Sequence, residues 1–140
     1  MSTDELKSRD LRYAAVFLRV ALGVGYLSAV ADRFGLWGPP GTPSVGWGNF
    51  HNFVAYTAKL NPWCPPTLMP ALSWIATVAE ILIGVALISG FWRRTVGLLS
   101  GLMALSFAVA MTATLGVHAP LAYSVFVVAA ASFVLAVIRD

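Results

Sequence analysis

Charged side chains are scarce in this chain. Asp, Glu, Lys and Arg make up 11% of its 140 residues, whereas hydrophobic residues make up 59%. A soluble globular domain carries about 25% charged residues, so this chain has too few to cover a surface exposed to water. The length suits one domain, and the composition predicts that its solvent is the lipid bilayer.

The residues that most enzyme mechanisms use are also few. Cys64 is the single cysteine, which excludes an internal disulfide and any mechanism that needs two thiols of this chain. His51 and His118 stand alone, without a second histidine at metal-ligand spacing, so no metal site is predicted. No phosphate-binding glycine loop or nucleophilic triad is recognisable, and nothing favours hydrolytic or phosphoryl-transfer chemistry.

The basic balance of the chain does not indicate a nucleic-acid partner. The formal net charge is +3, but Lys and Arg stand at the ends of apolar runs, where they anchor and orient membrane helices. No basic patch alternates with aromatic residues, as single-strand binding requires. The predicted partners are the lipid bilayer and other protein subunits.

Four apolar segments have a length near that of a membrane span. About 20 residues cross a hydrocarbon core as a helix, and these segments lack the alternation of a strand. The sequence therefore predicts an all-α fold, a four-helix transmembrane bundle. The predicted helices cover approximately residues 13–31, 70–89, 95–115 and 120–138.

The first connection, residues 32–69, is long and rich in turn formers. Glycine and proline over 35–48 disfavour regular structure there. Residues 49–60 instead predict a short amphipathic helix at the membrane interface. The residues that fall on one side of it at helical spacing are Phe50, Phe53, Val54, Thr57 and Leu60.

Lys and Arg residues are distributed unequally between the two sides of the predicted bundle. The side with more of them is expected to be cytoplasmic, which places both termini inside and the long first connection outside the cytoplasm, in a bacterial inner membrane. Arg33 and Lys59 fall on the outer side. The inner side carries Lys7, Arg9, Arg12, Arg93, Arg94 and Arg139.

Arg19 and Glu80 are the ionisable residues inside the predicted spans. A charge at the centre of a span costs about 2.5–3.5 kcal/mol or more, and an opposite charge offsets this cost. Counted from Arg12 and from Gly90, both residues lie in the cytoplasmic half, roughly 10 Å and 15 Å deep at 1.5 Å per residue. The sequence thus predicts that Arg19 and Glu80 form a buried pair.

Two roles for the predicted pair stay open. It is either a structural ion pair between the first two spans or part of a polar site for a substrate, a proton or a quinone headgroup. Tyr26, Trp74 and Thr77 are the further candidates for such a pocket. Asp32 and Arg33 are interpreted as markers of the outer end of the first helix.

Two stretches resemble the DoxX/DoxD-like family of small four-helix membrane proteins. Residues 17–35 carry the Arg-x-x-Leu-Gly pattern of its first helix at Arg19, Leu22 and Gly23. Residues 79–94 match its second helix, with an Ala-Glu followed by Gly and a Gly-aromatic-x-Arg turn. The resemblance implies a small bundle associated with membrane oxidoreductase complexes.

The resemblance leads to two functional hypotheses from different classes. The first is a membrane subunit of an oxidoreductase complex near the quinone pool, with quinone as the possible ligand and a partner subunit as the electron donor. The second is a non-enzymatic scaffold or assembly factor for another membrane protein. A small transporter ranks last, because the fourth span offers few polar residues: Tyr123, Ser124 and Ser132.

Overall fold

The computed structural model describes residues 2–138, and these residues form helices and loops without a β-strand. The helices in this range are α1 (Thr3–Arg33), α2 (Phe50–Leu60), α3 (Met69–Ser89), α4 (Arg93–Leu115), α5 (His118–Ala122) and α6 (Val125–Val137). A 3-10 turn over Pro66–Leu68 leads into α3. Three helices are long and apolar enough to span a membrane, namely α1, α3 with its leading turn, and α4.

Helix α1 begins well before the predicted start near residue 13. Ser2 and Glu5 form a capping box, in which the Ser2 hydroxyl accepts a hydrogen bond from the Glu5 amide at 3.2 Å. The Glu5 carboxylate in turn accepts from the Ser2 amide at 2.7 Å. These bonds satisfy backbone donors that a helix start leaves free. The charged first turns are therefore helical although they are too polar to belong to an apolar span.

Helices α3 and α4 agree with the predicted spans to within two residues at each end. Gly90 ends α3 in a left-handed conformation, at φ 80°, which glycine adopts without steric cost. A short turn through Phe91 and Trp92 then leads into α4, so the two helices run antiparallel.

The fourth predicted span is not one helix, and the expectation of a continuous helix over 120–138 is wrong. The backbone breaks at Tyr123 and Ser124, between α5 and α6, where Ser124 is left-handed at φ 56°. No glycine or proline stands at the break, so the usual sequence signals for a helix end are missing.

Helices pack most closely in two antiparallel pairs, α1 on α3 and α4 on α6. Gly23 and Gly84 bring the first pair together, and a Cβ atom on Gly23 would lie 2.7 Å from the Gly84 carbonyl oxygen. Gly97 plays the same part in the second pair, since its Cβ would lie 3.0 Å from the Ser132 carbonyl oxygen. Small residues at such contacts let apolar helices approach closely.

Helix α2 lies over one end of the two pairs, against α3 and α4, at the position where an amphipathic helix was predicted. Asn49 caps its start by accepting a hydrogen bond from the Asn52 amide at 2.8 Å. Its buried residues are Phe53, Thr57 and Leu60, which belong to the predicted apolar side. We call this end of the molecule the α2 end and the other, which carries the α3–α4 turn, the turn end.

Candidate functional site

Glu80 is paired with Arg33. The Arg33 Nη2 atom contacts Glu80 Oε2, and both side chains are almost fully buried, at 1% and 6% exposure. Arg33 Nη1 also donates a hydrogen bond of 2.9 Å to the Thr77 hydroxyl, one helical turn from Glu80. The ion pair therefore joins the last residue of α1 to the middle of α3.

Aromatic rings complete the surroundings of the Arg33 guanidinium. Its central carbon lies 3.7 Å from the centre of the Phe53 ring and 5.2 Å from that of the Trp47 ring. Rings attract a cation through their negative faces, and this attraction is strongest where water is excluded. Arg33 thus holds α1, α2, α3 and the first connection at one point.

The predicted pair of Arg19 with Glu80 is wrong, because the two residues lie at different levels. Arg19 is beside Gly90 at the turn end: a Cβ atom on Gly90 would lie 2.8 Å from the Arg19 Cζ atom. Ten residues of α3 separate Gly90 from Glu80, which is about 15 Å along a helix. The prediction took Arg12 and Gly90 as level with one another, whereas α1 carries Arg12 beyond the turn end.

Asp32 holds the first connection against the end of α1. Its Oδ2 atom accepts hydrogen bonds from the amides of Gly46 and Trp47 at 2.9 and 3.0 Å, and its Oδ1 atom accepts from Gly48 at 3.3 Å. Successive amides that converge on one carboxylate satisfy its charge without a cation. Asp32 and Arg33 are therefore parts of the site, whereas the sequence pattern indicated only a helix end.

Replacing Asp32 by asparagine is expected to loosen this connection. The substitution keeps the shape of the side chain but removes the charge and one acceptor oxygen, at a cost of about 1.5–3 kcal/mol. Hydrogen exchange should become faster at the amides of Gly46, Trp47 and Gly48. The matched control is Asp10→Asn on the exposed start of α1, and equal exchange rates in both variants would contradict the anchoring role.

A chain of hydroxyl groups crosses the middle of the molecule. The Ser132 hydroxyl donates to the Val128 carbonyl at 2.8 Å and lies 2.7 Å from the Ser100 hydroxyl. The Tyr26 hydroxyl lies 3.0 Å from both the hydroxyl and the carbonyl oxygen of Ser100. A carbonyl oxygen only accepts, so the bonds run from Tyr26 through Ser100 to Ser132. This hydroxyl chain links α1 to α4 and α6.

A cavity of about 760 Å³ lies between the hydroxyl chain and the α2 end. Its volume is within the range of about 300–1,000 Å³ that small-molecule sites occupy. Glu80 and Arg33 line it together with Tyr26. Most of its remaining depth is apolar, contributed by Ala29, Ala104, Phe107, Met111, Val125 and Val128.

The mouth of the cavity is formed by its exposed lining residues, Ser44, Gly46, Ala55, Lys59 and Tyr123. Lys59 brings a positive charge to this rim. Burial raises the pKa of the nearby Tyr56, and the Tyr123 phenol raises it further, so that Tyr56 keeps its proton at neutral pH. The rim therefore presents hydrogen-bond donors, whereas the interior is mainly apolar.

Below the hydroxyl chain, the molecule is packed with apolar side chains. Leu22, Leu87, Val96 and Leu135 are buried there in one cluster with Ala15, and Tyr26 and Val128 border it from the cavity side. None of the buried residues of this cluster lines the cavity. The cavity thus opens towards the α2 end and has a floor at the hydroxyl chain.

Of the three predicted pocket residues, the structure places only Tyr26 on the cavity wall. Thr77 is fully buried behind the wall, where it binds Arg33. Trp74 points away from the cavity and packs on Phe50, with the ring centres 4.5 Å apart, so its inclusion in a pocket is corrected. The lining from α4, from Tyr123 in the break and from α6 belongs to no polar motif in the sequence, and only the packing of the helices brings it together.

The residues described offer no metal-ligand cluster: between Ser2 and Ile138, no three His, Cys, Asp or Glu side chains are grouped closely enough to hold an ion. Comparison of the chain with family models, with curated proteins and with solved structures finds no match. The site is therefore interpreted from its own geometry.

Proposed function

We propose that this chain is a DoxX-like integral membrane protein whose cavity binds a quinone headgroup as part of an oxidoreductase complex. The observation that carries the proposal is the cavity itself, which has apolar walls, a Tyr26 hydroxyl at its floor and hydrogen-bond donors at its rim. This is the distribution that an amphipathic ring compound requires.

The surface supports a position in the bilayer. Large apolar side chains are exposed along the spanning helices, among them Phe17 at 77%, Ile75 at 67% and Leu82 at 65%. In water such a surface would drive aggregation, whereas lipid chains cover it without cost. We propose four crossings, the fourth consisting of α5 and α6 together, which span about 30 Å at 1.5 Å per residue.

The break in the fourth crossing fits this proposal. Unpaired backbone groups are tolerated at membrane depth where they face protein or a water-filled cavity. Tyr123 and Val125, on either side of the break, line the cavity. The backbone groups that the break between α5 and α6 leaves unpaired therefore lie next to the cavity, which can satisfy them.

The basic residues support an orientation with both termini in the cytoplasm. Two basic residues were assigned to the outer side, Arg33 and Lys59. Arg33 is buried in its ion pair with Glu80, so Lys59 is the one that brings a positive charge to the surface of the α2 end. Lys7, Arg12 and Arg94 are exposed at the turn end, while Arg139 lies outside the described residues. The positive-inside rule then directs the cavity mouth away from the cytoplasm.

The ligand class follows from the polar groups that retain bonding capacity. Asp32 is occupied by backbone amides, whereas the buried Arg33 Nε atom has no hydrogen-bond partner among the described residues. Lys59 and Tyr123 can donate from the rim, and Tyr56 can donate from the wall beside it. Quinone carbonyls accept hydrogen bonds, and the ring and tail suit the walls from Phe107 and Met111. In this proposal a partner subunit delivers the electrons, as the family resemblance implies.

The test uses tryptophan fluorescence, because Trp47 is the tryptophan on the cavity wall. A short-chain ubiquinone analogue added to the purified protein should quench part of the emission in a saturable manner. Trp47→Phe should remove that part. Trp92→Phe is the matched control, since Trp92 is 71% exposed in the α3–α4 turn.

Quenching that rises linearly with quinone and is equal in Trp47→Phe would contradict the quinone site. The scaffold or assembly hypothesis predicts this negative result together with a stable protein partner. Affinity purification from the native membrane, with and without quinone, separates the two hypotheses.

A further inference from the structure

Arg19 is not paired with Glu80, its predicted partner, and has no other partner among residues 2–138. Its Nε atom is buried without a hydrogen bond, and no ion pair or hydrogen bond is formed by its guanidinium with the described residues. The residue as a whole is only partly buried. An arginine near the end of a membrane helix reaches towards the headgroup region, where phosphate groups lie.

Gly90 provides the room that the Arg19 guanidinium occupies. A side chain at Gly90 would collide with it, since even a Cβ atom would lie 2.8 Å from Cζ. Gly90 also ends α3, whose terminal carbonyl groups favour a cation beside them. The guanidinium is thereby held between α1 and the α3–α4 turn.

An apolar groove of about 380 Å³ runs along α3 up to the same glycine. The groove is lined by Leu82, Val85, Ala86, Ser89, Gly90 and Phe91. Leu82 and Val85 are exposed at 65% and 53%, so the groove is on the outer, lipid-facing surface. Arg19 does not line the groove, but its guanidinium lies beside Gly90, where the groove ends. An apolar groove next to a cation matches the two parts of a phospholipid, an acyl chain and a phosphate.

We propose that Arg19 binds the phosphate of an anionic phospholipid whose acyl chain lies in this groove. The guanidinium fork suits phosphate oxygens, and the bond is strong because both partners are charged. Arg94, four residues after Gly90 in the chain, carries a further exposed positive charge at the turn end. An anionic lipid is favoured over a choline lipid, whose own cation competes with Arg19 for the phosphate.

This lipid site is independent of the proposed quinone site. It lies at the turn end, and its groove shares no lining residue with the cavity. In the proposed orientation it selects lipids of the cytoplasmic leaflet, where anionic headgroups are held by basic residues near the membrane surface.

The experiment measures binding of phosphatidylglycerol to the delipidated protein in detergent, by native mass spectrometry and by the melting temperature. Arg19→Gln should weaken binding about tenfold, as expected for a lost charge-assisted contact. Arg12→Gln, which removes the same charge from an exposed position on α1, should bind as the unchanged protein does. Phosphatidylcholine and inorganic phosphate are titrated in parallel.

A second variant tests the groove without touching the arginine. Val85→Trp should fill it and weaken phosphatidylglycerol binding, whereas Leu102→Trp on the exposed face of α4 should not. Equal binding by Arg19→Gln and Arg12→Gln would overturn the phosphate site. Unchanged binding by Val85→Trp, or an equal effect of inorganic phosphate, would overturn the assignment of the ligand to a lipid.

Discussion

Replacing Glu80 by glutamine is expected to lower the free energy of unfolding by about 3–5 kcal/mol, because it leaves a buried arginine without its counter-charge. Arg33→Gln should lower the free energy of unfolding by a similar amount, because it leaves the buried Glu80 carboxylate without its counter-charge. The buried positions of both side chains, at 1% and 6% exposure, make water a poor substitute for the lost partner. The measurement is an unfolding titration with sodium dodecyl sulfate in mixed micelles.

The double variant identifies the partner. Arg33→Gln combined with Glu80→Gln should destabilise the protein by clearly less than the sum of the single changes, because no unpaired charge remains. The matched control combines Arg19→Gln with Glu80→Gln, and these two effects should add to within about 0.5 kcal/mol. A coupling of Glu80 with Arg19 instead of Arg33 would contradict the structure.

Replacing Gly23 by alanine should give the second large effect, a loss of about 1–3 kcal/mol or more from overpacking. The added Cβ atom would lie 2.6 Å from Ile88 Cγ1 and 2.7 Å from the backbone oxygen of Gly84. The Ile88 side chain can rotate away, but the helix backbone at Gly84 cannot. Helices α1 and α3 therefore have to separate, which a lowered melting temperature will report.

Gly25 is the matched control on the same helix. Nothing lies within 4 Å of a Cβ atom built on it, so alanine has open space there. Gly25→Ala should be neutral or stabilise the protein by up to about 1 kcal/mol through helix propensity. If both alanine variants melt at the same temperature, close packing of α1 on α3 is not what Gly23 provides.

The need of Glu80 for a partner could be predicted from the sequence, but the identity of the partner could not. An acid within an apolar run implies a buried counter-charge, and the structure buries Glu80 on one face of α3 together with Thr77 and Gly84. Whether Arg19 or Arg33 lies level with Glu80 depends on the axial register of α1 against α3. That register is set by the contact of Gly23 with Gly84, which hydropathy does not reveal.

The ends of the helices, too, could be predicted from the sequence only in part. The start of α1 had a sequence signal in Ser2 and Glu5, but an apolar window does not detect a capping box. The break at Ser124 has no such signal, because its left-handed residue is neither glycine nor asparagine. The cavity depends on that break and on side chains from several helices, so its existence follows from packing rather than from a motif.

The floor formed by Tyr26, Ser100 and Ser132 has a kinetic consequence. The cavity opens towards the α2 end and is closed at the hydroxyl chain, so a bound molecule enters and leaves at the α2 end. In the proposed quinone function, reduced quinone should therefore compete with oxidised quinone for the cavity, and the two should exchange at the rim between Lys59 and Tyr123.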